Sequence, residues 1–366
     1  MIIKKLTKSP LAFSGILLIG LFLVIALLGA NIRPDQSKDA NQMSINLSNR
    51  KPGFSSWVLI NGEVRAQKNY FQKLFFGGEQ LKQSRTALQS YHIKGDTLYY
   101  FELGEDTLFD SRHRVAISSL GGQDNSPGDT GDLLQEHLVY QTFWLGTDKF
   151  GRDYLSRLMA GAVVSLSVGI IAVIVSLLLG VFLGAVAGFY RGKIDDWIVW
   201  FTNVVWSVPT LLMVMAITLV LGKGFWQIFI AVGLTMWVEV CRVTRGQIMS
   251  LREKEFAAAA KVLGFSDMRI LLRHLLPNTL GPLIVVSASN FATAILIEAG
   301  LSFLGLGAQP PMPSWGSMIK ENYGYIILGK PYLAVFPGLA ISLLVFSFVV
   351  LGNGIRDAFD VRREQG

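Results

Sequence analysis

Gly161-Ala-Val-Val-Ser-Leu-Ser-Val-Gly-Ile170 opens a stretch that continues IAVIVSLLLGVFLGAVAGFY to Tyr190 and contains no Asp, Glu, Lys or Arg. A helix rises about 1.5 Å per residue and the hydrocarbon of a bilayer is about 30 Å thick, so about 20 apolar residues cross it. The run from Gly161 to Tyr190 meets that length with residues left for tilt. Leu11 to Ala30, Trp197 to Leu221 and Tyr332 to Leu351 are likewise uncharged, and Leu283 to Leu306 holds a single acid. Phe225 to Cys241 is shorter and carries Glu239 near its end, but Trp226 and Trp237 are residues that favour membrane interfaces. Together these segments predict an all-α polytopic membrane protein with six transmembrane helices, the third kinked at Pro209. Of 366 residues, 51% are hydrophobic and 16% charged, a balance that excludes an ordinary water-soluble globule.

The distribution of charge then sets the orientation. With the N-terminus inside, the inner side receives Lys4, Lys5, Lys8, Arg191, Lys193, Arg242, Arg245, Arg252, Lys254, Lys261, Arg269, Arg273, Arg356, Arg362 and Arg363. The outer short loops receive only Lys223, Lys320 and Lys330. Basic residues in short loops stay in the cytoplasm, so both termini are expected there, in a multi-pass protein of the cell (inner) membrane. Residues 31–160 hold 15 basic and 15 acidic side chains, so the net charge of +7 belongs to the membrane part. That basicity encodes topology and implies no nucleic-acid partner. The first segment reads as a retained anchor, because its apolar run exceeds a signal peptide's and Leu28 occupies a position where cleavage after Ala30 wants a small residue.

Three regions follow: residues 1–30, an N-terminal tail with the first span; 31–145, an insert; and 146–366, a core with the other five spans and a long loop, 242–282. The insert between the first two spans is polar and rich in turn formers, and is expected outside the membrane as a mixed α/β or β-leaning domain. Trp57 to Ile60 and Leu98 to Phe101 read as strands, and Asp124 to Asp132 as a loop. The acids Asp124, Asp129 and Asp132 miss the order of a calcium loop, so a solvated loop is the better reading. Cys241 stands alone, which rules out an intrachain disulfide and cysteine-rich metal sites. His92, His113, His137 and His274 lack metal-ligand spacing and are read as scattered surface residues; no bound metal is expected.

The loop 242–282 reads as two short amphipathic helices. Glu253 to Leu263 is alanine-rich, with Phe256, Ala260 and Leu263 on one face and Lys254 and Lys261 elsewhere; Gly264 stops it. Ser266 is placed to cap a second helix, Asp267 sits at its positive end, Met268, Leu271, Leu272 and Leu275 form its stripe, and Pro277 closes it. Taken alone, the pair has two readings: helices lying on the membrane surface, or a docking handle.

At this loop the sequence resembles the inner-membrane permease subunits of ATP-binding-cassette importers, which carry an EAA…G…I-LP pattern. Here it reads Glu255-Phe256-Ala257-Ala258-Ala259-Ala260-Lys261-Val262-Leu263-Gly264, ending in Leu276-Pro277-Asn278. The branch it resembles is the dipeptide/oligopeptide/nickel permease family, and within it the second permease of the pair. Leu145 to Asp153 (LGTDKFGRD), Glu298 to Gly307 (EAGLSFLGLG) and Pro310 to Gly316 (PPMPSWG) support that branch, and the match covers about 140–362 well. Ala258 stands where the family usually has a Glu, and the insert is longer than the family's usual connection.

The resemblance implies a permease moving di- or oligopeptides, or nickel chelates, with no catalytic residues of its own. Its partners would be a homologous second permease subunit, two ATP-binding subunits and an extracytoplasmic solute-binding protein. ATP and Mg would reside on those ATP-binding subunits and no cofactor on this chain, which has no GxxxxGK[ST] phosphate loop. The short helix would dock on an ATP-binding subunit through Glu255, Phe256, Ala259, Ala260 and Gly264.

Other candidates come from the spans. Glu298 lies late in the fifth, where an ionised group in hydrocarbon is costly, so it should face the interior, as a structural hydrogen bond or a contact to cargo. Asn290, with Ser287 and Thr293 nearby, makes this crossing the candidate lining helix, interhelical hydrogen bonding being the equal alternative. Gly180, Gly184 and Gly188 recur on one face of the second span and suit close packing by another helix. Asp148, Arg152 and Asp153 suggest a capped turn leading onto an interfacial helix, or, by the resemblance, part of an outer gate. The competing functions are an ATP-independent secondary transporter, which should carry internal repeats and several intramembrane charges, and a membrane-anchored receptor built on the insert.

Overall fold

The computed structural model of the chain describes residues 6, 9–62, 83–104, 112–120, 130–222 and 224–359. Lys4, Lys5, Lys8, Lys223, Arg362, Arg363, Asp124 and Asp129 lie outside them. In chain order the helices are α1 (Pro10–Ile32), α2 (Thr130–His137), α3 (Tyr154–Tyr190), α4 (Gly192–Ser207), α5 (Thr210–Leu221), α6 (Phe225–Arg252), α7 (Glu255–Val262), α8 (Leu280–Leu304), α9 (Trp315–Asn322) and α10 (Tyr332–Phe359). The strands are β1 (Phe54–Gly62), β2 (Gln83–Lys94), β3 (Thr97–Glu102), β4 (His113–Ala116) and β5 (Leu138–Phe143). Five helical segments are long and apolar enough to cross a membrane: α1, α3, α6, α8 with its lead-in, and α10; the pair α4 and α5 would supply a sixth.

Two apolar cores hold the bundle. Phe22 of α1, Tyr154 and Leu166 of α3, Phe291 and Ile295 of α8, Trp315 of α9 and Leu344 of α10 make one. Val214 of α5, Phe229 and Val232 of α6, and Ala294 and Leu301 of α8 make the other, against Val168 and Ala172 of α3. α3 and α6 pack closely because three glycines remove every Cβ from one stripe. A Cβ at Gly180 would lie 2.5 Å from Val240 Cβ and 2.6 Å from the Trp237 carbonyl oxygen, and one at Gly188 2.7 Å from the Arg245 carbonyl. Gly184 meets Thr244 in the same way, at 2.8 Å. Large apolar side chains such as Leu17, Leu178, Phe182 and Val220 point outward, as in a protein whose solvent is lipid.

The third segment departs from the expected kinked span. α4 and α5 meet at 91°, which is a break. Val208 before the proline is extended (φ −89°, ψ 128°), as the ring of a following proline demands, and Pro209 has no N–H to continue the ladder. The second loop helix departs the other way: Pro277 does not close it. An α-turn (Asp267–Ile270) passes into a π-helical turn (Leu271–Leu275) and a 3-10 turn (Leu276–Thr279) that leads straight into α8. Changing the turn width lets the chain pass the proline without a helical break. Ser266 precedes this helix but makes no side-chain cap.

The insert holds a five-stranded antiparallel sheet in the order β4-β3-β2-β1-β5. Trp57 to Ile60 lie in β1 and Leu98 to Phe101 in β3. Side chains alternate across a strand, and both faces have cover. Leu59, Leu88, Leu98 and Leu138 meet Leu133 and Leu134 of α2, while Val58, Ile60, Ala87 and Phe143 meet Leu47. Gly131 and Asp132, read as loop, therefore belong to a helix that roofs the sheet. His137, at the end of α2, is buried rather than at the surface, with Nδ1 2.6 Å from the Ile60 carbonyl oxygen.

Candidate functional site

Two regions gather the candidate residues, one at each end of the bundle. The end that carries Arg191, Arg245 and Arg273 presents α7. A cluster of Ala185 and Phe189 of α3, Ile248 of α6, and Ile270, Leu271 and Leu275 receives Ala257 and Ala260. Both alanines are buried, and their small size is what lets α7 lie flat on the bundle. The face expected to contain Phe256, Ala260 and Leu263 is thus divided. Ala260 turns inward, whereas Glu255, Phe256, Ala258, Ala259 and Gly264 are exposed. Val262 and Leu263 are 89% and 72% exposed and form an apolar ridge, of which helix periodicity singled out Leu263 but not Val262.

The helix ends in a left-handed turn. Gly264 has φ +77°, the Gly264 N–H donates to the Lys261 carbonyl (3.0 Å) and the Phe265 N–H to the Ala260 carbonyl (3.2 Å). This is the Schellman arrangement, with Phe265 packing back on the cluster that contains Ala260. An added Cβ at Gly264 would meet nothing within 4 Å, so backbone conformation alone calls for glycine here. Arg191 pairs with Glu253 beside the start of α7 (2.7 Å), and Arg245 grips Asp195 of α4 with two bonds of 2.5 and 2.6 Å. The base on which α7 rests is therefore fixed by ion pairs as well as by packing.

At the opposite end, Asp148, Arg152 and Asp153 come together. Asp148 accepts from Arg152 Nε (2.6 Å) and from the N–H groups of Phe150 and Arg152, and Arg152 also reaches Asn41 (3.1 Å) and Glu321 of α9 (3.1 Å). Arg157 completes the group, 3.8 Å from Asp148 and buried. Asp153 caps α3 by accepting from the Ser156 N–H (2.8 Å) and hydroxyl, and burial raises its carboxyl above the ordinary range. No separate interfacial helix follows this turn. The cap starts a helix of 37 residues that continues into the span, because nothing from Tyr154 to Tyr190 breaks the ladder. Arg157, Asn41 and Glu321 were not singled out in the sequence; Glu321 lies 169 residues from Arg152, and no local spacing joins them.

The same junction binds the insert. The Asn49 N–H donates to the Asp148 carbonyl (2.9 Å), the Arg50 N–H to Thr147 Oγ1 (2.8 Å), the Asp35 N–H to Ser156 Oγ (2.9 Å) and the Tyr332 hydroxyl to the Arg50 carbonyl (3.0 Å). Sheet and spans thus share a hydrogen-bonded seam made by α3, α10 and the segments on either side of the sheet.

Within the bundle, Glu298 is buried and accepts from the Ser302 hydroxyl (2.6 Å), with Ser165 and Ser314 beside it. Ser314 Oγ is 3.0 Å from Ser302 Oγ and caps α9. Glu298 therefore sits where α3, α8 and the start of α9 meet. Asn290 is buried with Nδ2 3.5 Å from the Met236 carbonyl, while Ser287 and Thr293 donate to carbonyls of their own helix. Asn290 thus bonds across to α6, whereas Ser287 and Thr293 bond within α8. Among the described residues no group of three or more His, Cys, Asp or Glu is placed to hold a metal ion.

Residues 180–365 match the family described as binding-protein-dependent transport system inner membrane component. The chain is similar to the dipeptide transport system permease protein DppC of Bacillus subtilis (strain 168), at 34% identity over 83% of this chain and 92% of that protein. It is 38% identical to the oligopeptide transport system permease protein OppC of the same organism, over 59% of this chain and 71% of the relative. The glutathione transport system permease protein GsiD of Escherichia coli O6:K15:H31 (strain 536 / UPEC) is 42% identical over 59% of this chain and 71% of its own length.

Proposed function

The chain belongs to the binding-protein-dependent transport system inner membrane component family, and on that footing we propose how this permease subunit of an ATP-binding-cassette importer is driven and what it carries. α7 is a coupling helix: its buried alanines seat it on α3 and α6, and its exposed ridge, Phe256, Val262 and Leu263, docks on an ATP-binding subunit. The observation that carries this reading is the split of α7 into a buried small-residue face and an exposed apolar face, closed by a turn that only glycine adopts without strain. ATP and Mg are held by two such partner subunits, and closure of the pair rocks the bundle through α7. A homologous permease subunit completes the pathway, and an extracytoplasmic solute-binding protein delivers the cargo.

The cargo is a di- or oligopeptide, in keeping with relatives named for dipeptide, oligopeptide and glutathione transport. Residues 1–30 and 146–366 form the membrane part, with α4 and α5 together making the sixth crossing, and 31–145 form an extracytoplasmic insert. The basic residues of 191–193, 242–273 and 356 gather at the end that bears α7, and this supports a cytoplasmic location for that end and both termini, in a cell (inner) membrane.

The test is peptide-stimulated ATP hydrolysis and uptake by the complete transporter in proteoliposomes. Val262→Asp should suppress both while leaving the subunit folded, because a charge enters an apolar contact. Uptake that persists without ATP, or stimulation unchanged in Val262→Asp and Phe256→Ala alike, would refute the coupling role.

A further inference from the structure

The sheet of the insert has two edges, and they are unlike. β4 is four residues long and carries Arg114, the short, charged form in which sheet edges resist pairing. β5 is six residues, Leu138-Val-Tyr-Gln-Thr-Phe143, with neither charge nor proline. Among the described residues it pairs with β1 alone, and its Val139 and Tyr140 are exposed. An antiparallel strand bonds each neighbour through alternate residues, so β5 keeps a row of N–H and C=O groups for a further strand. Its face is marked as well. Tyr91 of β2, Trp57 of β1 and Tyr140 of β5 form a row of edge-to-face rings with centroids 5.4 and 5.2 Å apart, and the row stops at the edge. Two residues past the strand, Leu145 packs on the core of the bundle, so β5 runs toward the end that bears Asp148 and Arg152.

We propose that β5 takes up an oligopeptide of the cargo as a sixth strand, the peptide backbone bonding to the free edge and one of its apolar side chains continuing the ring row at Tyr140. The inference rests on the reading of the cargo as a peptide and narrows it to extended chains. Backbone complementarity selects the occupant: an unpaired edge offers donors and acceptors at the repeat of an extended chain, which neither a lipid nor a folded surface matches. Side chains of directly opposed residues start about 4.5–5.5 Å apart, so an added strand meets Tyr140 as Tyr140 meets Trp57. Six residues at about 3.4 Å each give about 20 Å of edge, room for a peptide of about four to six residues, whereas a dipeptide is too short to register on it.

Fluorescence anisotropy with the full chain in lipid nanodiscs, without ATP-binding subunits, tests it. The probe is the fluorescein-labelled hexapeptide Thr-Val-Thr-Phe-Thr-Val, which alternates apolar and polar side chains, and the control is the same peptide methylated at every backbone nitrogen. The probe should saturate, the methylated peptide should bind about tenfold more weakly or not at all, and Tyr140→Lys should weaken the probe by a similar factor, because a lysine on an edge opposes pairing. Tyr140→Lys is an exposed substitution whose fold is checked by circular dichroism. Peptide uptake by the complete transporter reports the cargo separately: uptake without saturable binding at the edge would sink this inference and leave the permease reading intact, and binding without uptake would count against the cargo and leave the edge a peptide site. Equal affinity for the methylated peptide, or affinity indifferent to Tyr140→Lys, would overturn the proposal. So would a peptide-free dimer in detergent that Tyr140→Lys dissociates, since the edge would then belong to a second copy of the chain.

Discussion

Replacing Gly180 by alanine puts one methyl group into the close contact between α3 and α6. That carbon would lie 2.5 Å from Val240 Cβ and 2.6 Å from the Trp237 carbonyl oxygen. Carbon atoms pack at about 3.5–4.0 Å and carbon against carbonyl oxygen at about 3.3–3.6 Å, so α3 and α6 must part by about 1 Å. Neither obstacle is the end of a flexible chain: one is backbone and the other is attached to it. Overpacking of this kind costs about 1–3 kcal/mol, whereas alanine in place of glycine within a helix gains about 1 kcal/mol. Gly20 of α1 has nothing within 4 Å of an added Cβ and supplies the matched control. Unfolding in mixed micelles titrated with SDS should place Gly180→Ala about 1–3 kcal/mol below Gly20→Ala, the shared helix propensity cancelling. Equal stability of the two variants would refute the account of the α3–α6 interface.

Gly264→Ala faces no steric obstacle, so it should cost only about 1–2 kcal/mol of left-handed backbone strain, leaving thermal stability nearly intact while peptide-stimulated ATP hydrolysis falls. Arg152→Met leaves Asp148 and Glu321 without their shared guanidinium, and should lower stability by about 3 kcal/mol in the same SDS titration, less because Glu321 is partly exposed; Arg152→Met with Glu321→Gln should recover part of it. Asp153 has a carboxyl raised by burial, so its contribution is present below the unfolded carboxylate range, about pH 4, and is lost as pH rises through the folded value. Asp153→Asn keeps a side chain that caps equally well and should flatten the loss of stability between acid and neutral pH.

The membrane segments were legible because hydrocarbon imposes a length and a composition that no soluble helix needs. Their ends were less so: α3 begins seven residues before Gly161, since Asp153 caps it and Arg157 finds its partners in other elements. Prolines misled in both directions. Pro209 breaks a segment that hydropathy joins, and Pro277 sits in a helix that it was expected to end, because the outcome depends on whether neighbouring turns can widen. In α7 the composition was plain but its facing was not: eight residues give two turns, and only the bundle beneath decides that Ala257 and Ala260 turn inward and Val262 outward. Glu298 could be placed inside the bundle from the cost of burying charge, and its donor Ser302 lies one turn on, whereas Ser314, which bonds to Ser302, comes from the start of α9. The strands at Trp57 and Leu98 were visible as aromatic and branched runs, whereas sheet order and the seam to α3 and α10 depend on pairings far apart in sequence.

Thiol labelling at Val262 tests the coupling role of α7 most directly, since the native Cys241 is buried and silent in the background. Val262→Cys in the assembled transporter should react with a membrane-impermeant maleimide only from the cytoplasmic face, and only after the ATP-binding subunits are stripped away. Reaction from the outer face, or labelling indifferent to the presence of those subunits, would contradict it.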